Sequence, residues 1–97
     1  MLDDKLKFQL QQIFDKYSQI EKVVLFGSRA RGDNKYNSDV DLCIFGEEIT
    51  HRVLAKISMD INEVTTPLSF DILSFNEISK KELINNILEE GVIIYNG

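Results

Sequence analysis

Leu2, Leu6, Leu10, Ile13 and Tyr17 recur at three- and four-residue intervals. That spacing stacks side chains on one helical face and predicts an amphipathic helix over roughly Asp3–Tyr17. Lys22–Phe26 is a short apolar run ending at Gly27 and reads as a buried strand; Val40–Phe45, closed by Gly46, reads as a second. Val53, Leu54, Ile57, Ile61 and Val64 form another helical stripe, which Thr50 is placed to cap. Pro67 sets up a third strand, Leu68–Leu73. A third helix, opened by Ser79 or a neighbour, turns Leu83, Ile84, Ile87 and Leu88 inward and stops at Gly91. Val92–Tyr95 is a short final strand. Between the first two strands, Ser28–Arg31 begins a helical turn that Ser28 can cap, and Gly32–Asn37 has a loop's composition. No repeat, low-complexity tract or linker interrupts this order. It predicts one domain over residues 1–97, a two-layer α+β fold with a four-stranded mixed sheet and its helices on one face.

Composition narrows the function. A net charge of -5 argues against a surface built for direct nucleic-acid binding, which is normally basic. The lone Cys43 has no internal disulfide partner, and its apolar neighbours mark it as a small buried hydrophobe. The chain opens Met1-Leu2-Asp3-Asp4 without a cationic, cleavable start, and no apolar run approaches the ~20 residues of a bilayer span. A cytoplasmic protein without membrane contact is the expectation.

Strand alternation picks out the candidate chemistry. In the second strand Val40, Leu42 and Ile44 point one way, and Asp39, Asp41 and Cys43 the other. In the third, Phe70 and Ile72 oppose Ser69 and Asp71. With the apolar sets under the helices, Asp39, Asp41 and Asp71 emerge together on the uncovered face. Two carboxylates ~5 Å apart repel by roughly 3 kcal/mol at an effective dielectric of ~20. A divalent cation reverses that sign, and oxygen-only ligands favour magnesium or manganese over zinc. Singly, each acid reads as well as a turn or solvated strand residue; together, at fixed spacing from a Gly-Ser turn, they read as a site.

Gly27 follows a strand, where a missing side chain permits a tight turn and close approach by a phosphate. Ser28 adds a hydroxyl donor, and the amides of the following turn add more. Arg29, Arg31 and Lys35 either neutralise triphosphate charge or are solvated loop cations. Ser38 orients the loop by hydrogen bonding or is ordinary turn chemistry. Tyr36 is a candidate for stacking on a base. His51 has no second His or Cys placed to share a metal and reads as a surface or capping residue. The six phenylalanines read as core or half-buried packing.

With Gly27-Ser28, ten intervening residues, Asp39-Val40-Asp41 and a later Asp71, the chain resembles the minimal nucleotidyltransferase (MNT) group of the polymerase-β-like superfamily. The likeness in element order covers almost the whole chain and implies a nucleotidyltransferase-like fold. It further implies that the Gly-Ser turn holds the phosphates of ATP, and that Asp39 and Asp41 ligate two magnesium ions. Asp71 would complete the metal site and help deprotonate an attacking hydroxyl, the reaction being in-line attack on the α-phosphate with release of pyrophosphate.

The sequence ends at Gly97, soon after the last strand, so an acceptor is expected from a partner or another subunit. Small proteins with this signature resemble the MNT antitoxins that pair with HEPN-domain toxins, typically ribonucleases. That resemblance implies AMP transfer to a tyrosine hydroxyl of the toxin. The rival readings are an antitoxin that only binds and masks its partner, and a transferase acting on a small hydroxylated molecule such as an aminoglycoside.

Overall fold

The computed structural model describes residues 2–35 and 38–97. The order is α1 (Asp4–Phe14), β1 (Lys22–Phe26), α2 (Ser28–Arg31), β2 (Val40–Phe45), α3 (His51–Asn62) and β3 (Phe70–Ser74). A 3₁₀ turn over Phe75–Glu77, α4 (Lys81–Glu90) and β4 (Val92–Asn96) complete it. The fold is α+β, with a four-stranded mixed sheet in the order β3-β2-β1-β4. β1 runs antiparallel to both β2 and β4, while β2 and β3 are parallel, joined by the α3 crossover. A parallel pair needs such a connection, because a tight turn can only reverse the chain.

Local signals account for the helix ends. Asp3 caps α1 by accepting from the Leu6 amide at 2.8 Å, and Thr50 caps α3 by accepting from the Val53 amide at 3.2 Å. The first helix stops at Phe14, short of the expected Tyr17, whose hydroxyl instead donates to Asp60 Oδ2 at 2.6 Å and ties the turn to α3. On the first face of the sheet, Leu10, Phe14, Ile57 and Ile61 close over Val23, Leu25, Val40, Leu42 and Ile44, all fully buried. Each such side chain contributes about 1.5–3 kcal/mol relative to exposure.

The helices do not all lie on one face. The run Val23-Val24-Leu25-Phe26 has no polar alternation, so β1 must be covered on both sides. Ile87 and Leu83 of α4 provide the second cover, packing with Val24, Phe26 and Cys43 on the face opposite α1 and α3. A Cβ at Gly91 would overlap Val24 Cγ1, so the chain leaving α4 runs hard against β1. Leu88, expected inward, is 59% exposed, because the 83–87 row makes the contact and position 88 is rotated away. Phe8 is exposed as well, unlike the other phenylalanines.

Candidate active site

The site lies where β1, β2 and β3 come level. Phe26 of β1 pairs with Asp41 of β2, and Asp41 pairs in parallel register with Asp71 of β3. Adjacent strands are ~4.8 Å apart, so register alone sets the two carboxylates side by side. Asp39 lies one residue outside β2, and between it and Asp41 the fully buried Val40 turns to the opposite core. All three acids therefore share the face on which α4 packs against β1, not an uncovered one. Asp39 and Asp71 are exposed and Asp41 is half-buried.

Electrostatics ties the group together. Burial raises the Asp41 carboxyl above its ordinary value, and the charges of Asp71 and then Asp39 push it further, against a lowering pull from Arg31. Among the described residues, no three His, Cys, Asp or Glu side chains form a ready-made metal cage. The arrangement is an in-register carboxylate pair with a third acid close enough for its charge to be felt. Its donors are all carboxylate oxygens, the set that suits a hard divalent cation.

The Gly-Ser turn abuts this pair. Gly27 has φ 77° and ψ -156°, and a Cβ built on it would overlap Asp41 Oδ2. The missing side chain thus makes room for a carboxylate as well as for a turn. Gly27, and not Ser28, takes the N-cap position of α2, and its carbonyl accepts from the Ala30 and Arg31 amides at 3.1 and 3.2 Å. Ser28 is half-buried within the first turn. Gly32 ends α2 in the left-handed conformation at φ 81°.

The two arginines part ways. Arg31 is partly exposed, lies 3.2 Å from Asp33 and 3.9 Å from Glu90, and its charge reaches Asp41. Arg29 is neither solvated nor in the loop: it is 5% exposed, and its Nε and Nη2 donate to the Ser38 carbonyl at 3.1 and 2.8 Å. Sequence reasoning missed this burial, since nothing in a Ser-Arg-Ala-Arg run distinguishes one guanidinium from the other. The Ser38 Oγ accepts from the Lys35 amide at 3.0 Å, a bond that fits either reading of Ser38. Lys35 is exposed, and Tyr36 lies outside the described residues. The exposed His51 sits 3.5 Å from Glu77, a surface contact. No helix among the described residues is long and apolar enough to cross a membrane.

Comparison with known proteins gives the arrangement a context. A family model described as Polymerase beta, Nucleotidyltransferase matches residues 9–97. A Methanocaldococcus jannaschii protein named "Putative protein adenylyltransferase" is 32% identical over 84 residues, spanning 79% of this chain and 80% of that protein. A crystal structure of a toxin–antitoxin with AMP-PNP superposes with a TM-score of 0.76 at 15% identity, over 94% of this chain and 73% of the matched one. A complex of tri-AMPylated Shewanella oneidensis HEPN toxin with MNT antitoxin gives a TM-score of 0.65 at 12% identity, over 95% and 73%. At such identities the structural likenesses speak for the fold alone.

Proposed function

The chain belongs to the polymerase β nucleotidyltransferase family, and from that premise we propose that it is the antitoxin of a toxin–antitoxin pair, transferring AMP from ATP to a tyrosine hydroxyl of a HEPN-type toxin. The observation that carries this reading is the Asp41–Asp71 pair in parallel register, with the Asp41 carboxylate lying where a Gly27 side chain would be. A fold has many uses, but a carboxylate pair packed against a side-chain-free turn has few. The adenylyltransferase name of the archaeal relative, and a structurally similar complex in which an AMPylated HEPN toxin is bound to an MNT antitoxin, favour protein adenylylation over other nucleotidyl transfers. The net charge of -5 suits a basic, RNA-cutting partner, whose approach it would steer.

The placement of the side chains supports the following chemistry. The Gly27–Ser28 turn and the Ser28 hydroxyl hold the triphosphate, with Arg31 near enough to offset its charge. Asp39, Asp41 and Asp71 are the ligands for magnesium, with manganese as the alternative. Bound there, divalent ions would screen the phosphate charge and lower the pKa of the acceptor hydroxyl. The acceptor oxygen forms its bond to the α-phosphorus as the bond to the bridging oxygen breaks. Pyrophosphate leaves, and the hydroxyl proton passes to Asp71, the most solvent-accessible strand carboxylate of the set. Adenylylation would block the toxin's active site by added bulk and negative charge.

Intact mass spectrometry of the purified toxin after incubation with this chain, ATP and magnesium tests the reading. The expected result is a mass increase by whole AMP units, lost in Asp39→Asn plus Asp41→Asn. An unchanged toxin mass, with neutralisation surviving both substitutions, would leave binding and masking as the function. Rapid labelling of an aminoglycoside instead of the toxin would assign a small-molecule acceptor.

A further inference from the structure

Among the described residues, the buried polar or charged side chains are Arg29 and Ser74. Burying a guanidinium carries a desolvation cost that only well-formed, charge-assisted hydrogen bonds offset. Arg29 makes two of them to a single acceptor, the carbonyl of Ser38, from Nε at 3.1 Å and Nη2 at 2.8 Å. That carbonyl belongs to the peptide unit whose nitrogen is Asp39's. The stem of Arg29 is rooted beside Ser28 in α2, so one side chain spans from the Gly-Ser turn to the peptide that carries the first acid.

The neighbouring contacts make the grip specific. The Ser38 amide donates to the Lys35 carbonyl at 3.0 Å, and its hydroxyl accepts from the Lys35 amide at 3.0 Å. On the other side of Asp39, the Val40 amide donates to the Ser69 carbonyl at 2.8 Å, which fixes β2 to the approach of β3. Asp39 therefore sits between two anchored peptide units, one of them anchored by Arg29. We infer that Arg29 is a positioning residue for Asp39, holding its carboxylate within reach of Asp41, and not a phosphate ligand. The inference rests on the reading of Asp39 as a metal ligand given above. A lysine cannot reproduce the fork, because its ammonium is a point donor without two fixed parallel N–H groups.

The test uses the full chain with Arg29→Lys, Arg29→Gln and Asp39→Asn, each first checked for a cooperative thermal melt. Binding of Mn²⁺ alone, without nucleotide, is measured by calorimetry; kcat and KM for ATP are then measured with the toxin as acceptor. Groups that orient a metal ligand typically change metal affinity roughly 10–100-fold when removed. Arg29→Gln is therefore expected to weaken Mn²⁺ by about that factor and to lower kcat, with KM for ATP changed by less than about twofold; Arg29→Lys should fall between it and the wild type. Combining Arg29→Gln with Asp39→Asn should add little to Asp39→Asn alone. Unchanged Mn²⁺ affinity with a raised KM would make Arg29 a phosphate contact and overturn the inference, as would wild-type values for both in a variant that merely melts lower. If Arg29→Gln does not melt cooperatively, Arg29→Lys decides alone, since it keeps the charge and stem. A wild-type chain that binds no Mn²⁺ and matches Asp39→Asn would fail the metal-site reading itself, a different pattern from failure at Arg29.

Discussion

Gly27 and Asp41 are packed so closely that a Cβ on residue 27 would overlap the Asp41 carboxylate oxygen Oδ2. The backbone at Gly27, φ 77° with ψ -156°, is also in a region that side chains exclude. Gly27→Ala is thus expected to cost about 1–3 kcal/mol in backbone strain and, in addition, to push the carboxylate out of the site. It should lower the melting temperature and abolish AMP transfer. Gly32→Ala is the control, since Gly32 has a similar φ of 81° but nothing within 4 Å of its Cβ position. It should lose about 1–2 kcal/mol of stability and keep transfer activity, as read by melting curves and toxin mass.

Asp41 sets function against stability. Its carboxyl is raised by burial first and by Asp71 and Asp39 next, so the folded state holds this proton more tightly than the unfolded chain does. Stability therefore falls as pH rises from the ordinary carboxyl value of 3.8 through the raised one, and the cost persists at neutral pH. Without metal, Asp41→Asn should melt above the wild type at pH ~7 and lose that advantage below pH ~4. About 1 kcal/mol corresponds to ~4–8 °C in a domain of this size. Added magnesium should raise the wild-type melting temperature and leave Asp41→Asn unmoved. A wild type more stable than Asp41→Asn in the absence of metal would contradict the electrostatic account.

Much of this was legible in the sequence because period and spacing are local properties. The bounds Lys22–Phe26 and Val40–Phe45, the Thr50 cap and the stop at Gly91 follow from runs and cap residues. Asp41 beside Asp71 needed only alternation and a guess that the two strands pair. Which face α4 would take was not legible, since Leu83, Ile84, Ile87 and Leu88 fit either side of the sheet equally well. The clue lay in β1, whose unbroken apolar run demanded two covers. Arg29 was illegible for a different reason: burial of a cation depends on where a distant carbonyl, Ser38's, comes to rest.

Tyr17 predicts an alkaline limb of stability. Its hydroxyl is pushed up from 10.0 to about 12, by burial first and then by the hydrogen bond to Asp60 and that residue's charge. The folded state again holds the proton more tightly, so this stabilising contribution is whole below pH ~10 and is lost as pH rises towards ~12. Tyr95, also raised, chiefly by its bond to Asp15, adds in the same direction. Tyr17→Phe should cost about 1 kcal/mol at neutral pH and flatten part of the fall between pH ~10 and ~12, measured by urea unfolding. An unchanged alkaline slope would show that the Tyr17–Asp60 bond does not hold the turn after α1 to α3.

The two-sided cover of β1 can be tested by comparing two adjacent residues of α4. Ile87 is 2% exposed and packs with Val24, Phe26 and Cys43, whereas Leu88 is 59% exposed. If α4 lies on the second face as described, Ile87→Ala opens a cavity against β1 and should cost about 2–5 kcal/mol. Leu88→Gln should stay within about 0.5 kcal/mol of the wild type. The same comparison reports on Cys43, whose thiol is fully buried and pushed up to about 12, chiefly by that burial. A thiol that is both buried and protonated is inert, so its labelling by a disulfide reagent should proceed only through opening of this face. Ile87→Ala should therefore speed Cys43 labelling in proportion to its lost stability, and Leu88→Gln should leave it unchanged. Equal effects of the two substitutions would place α4 in a different rotation on the sheet.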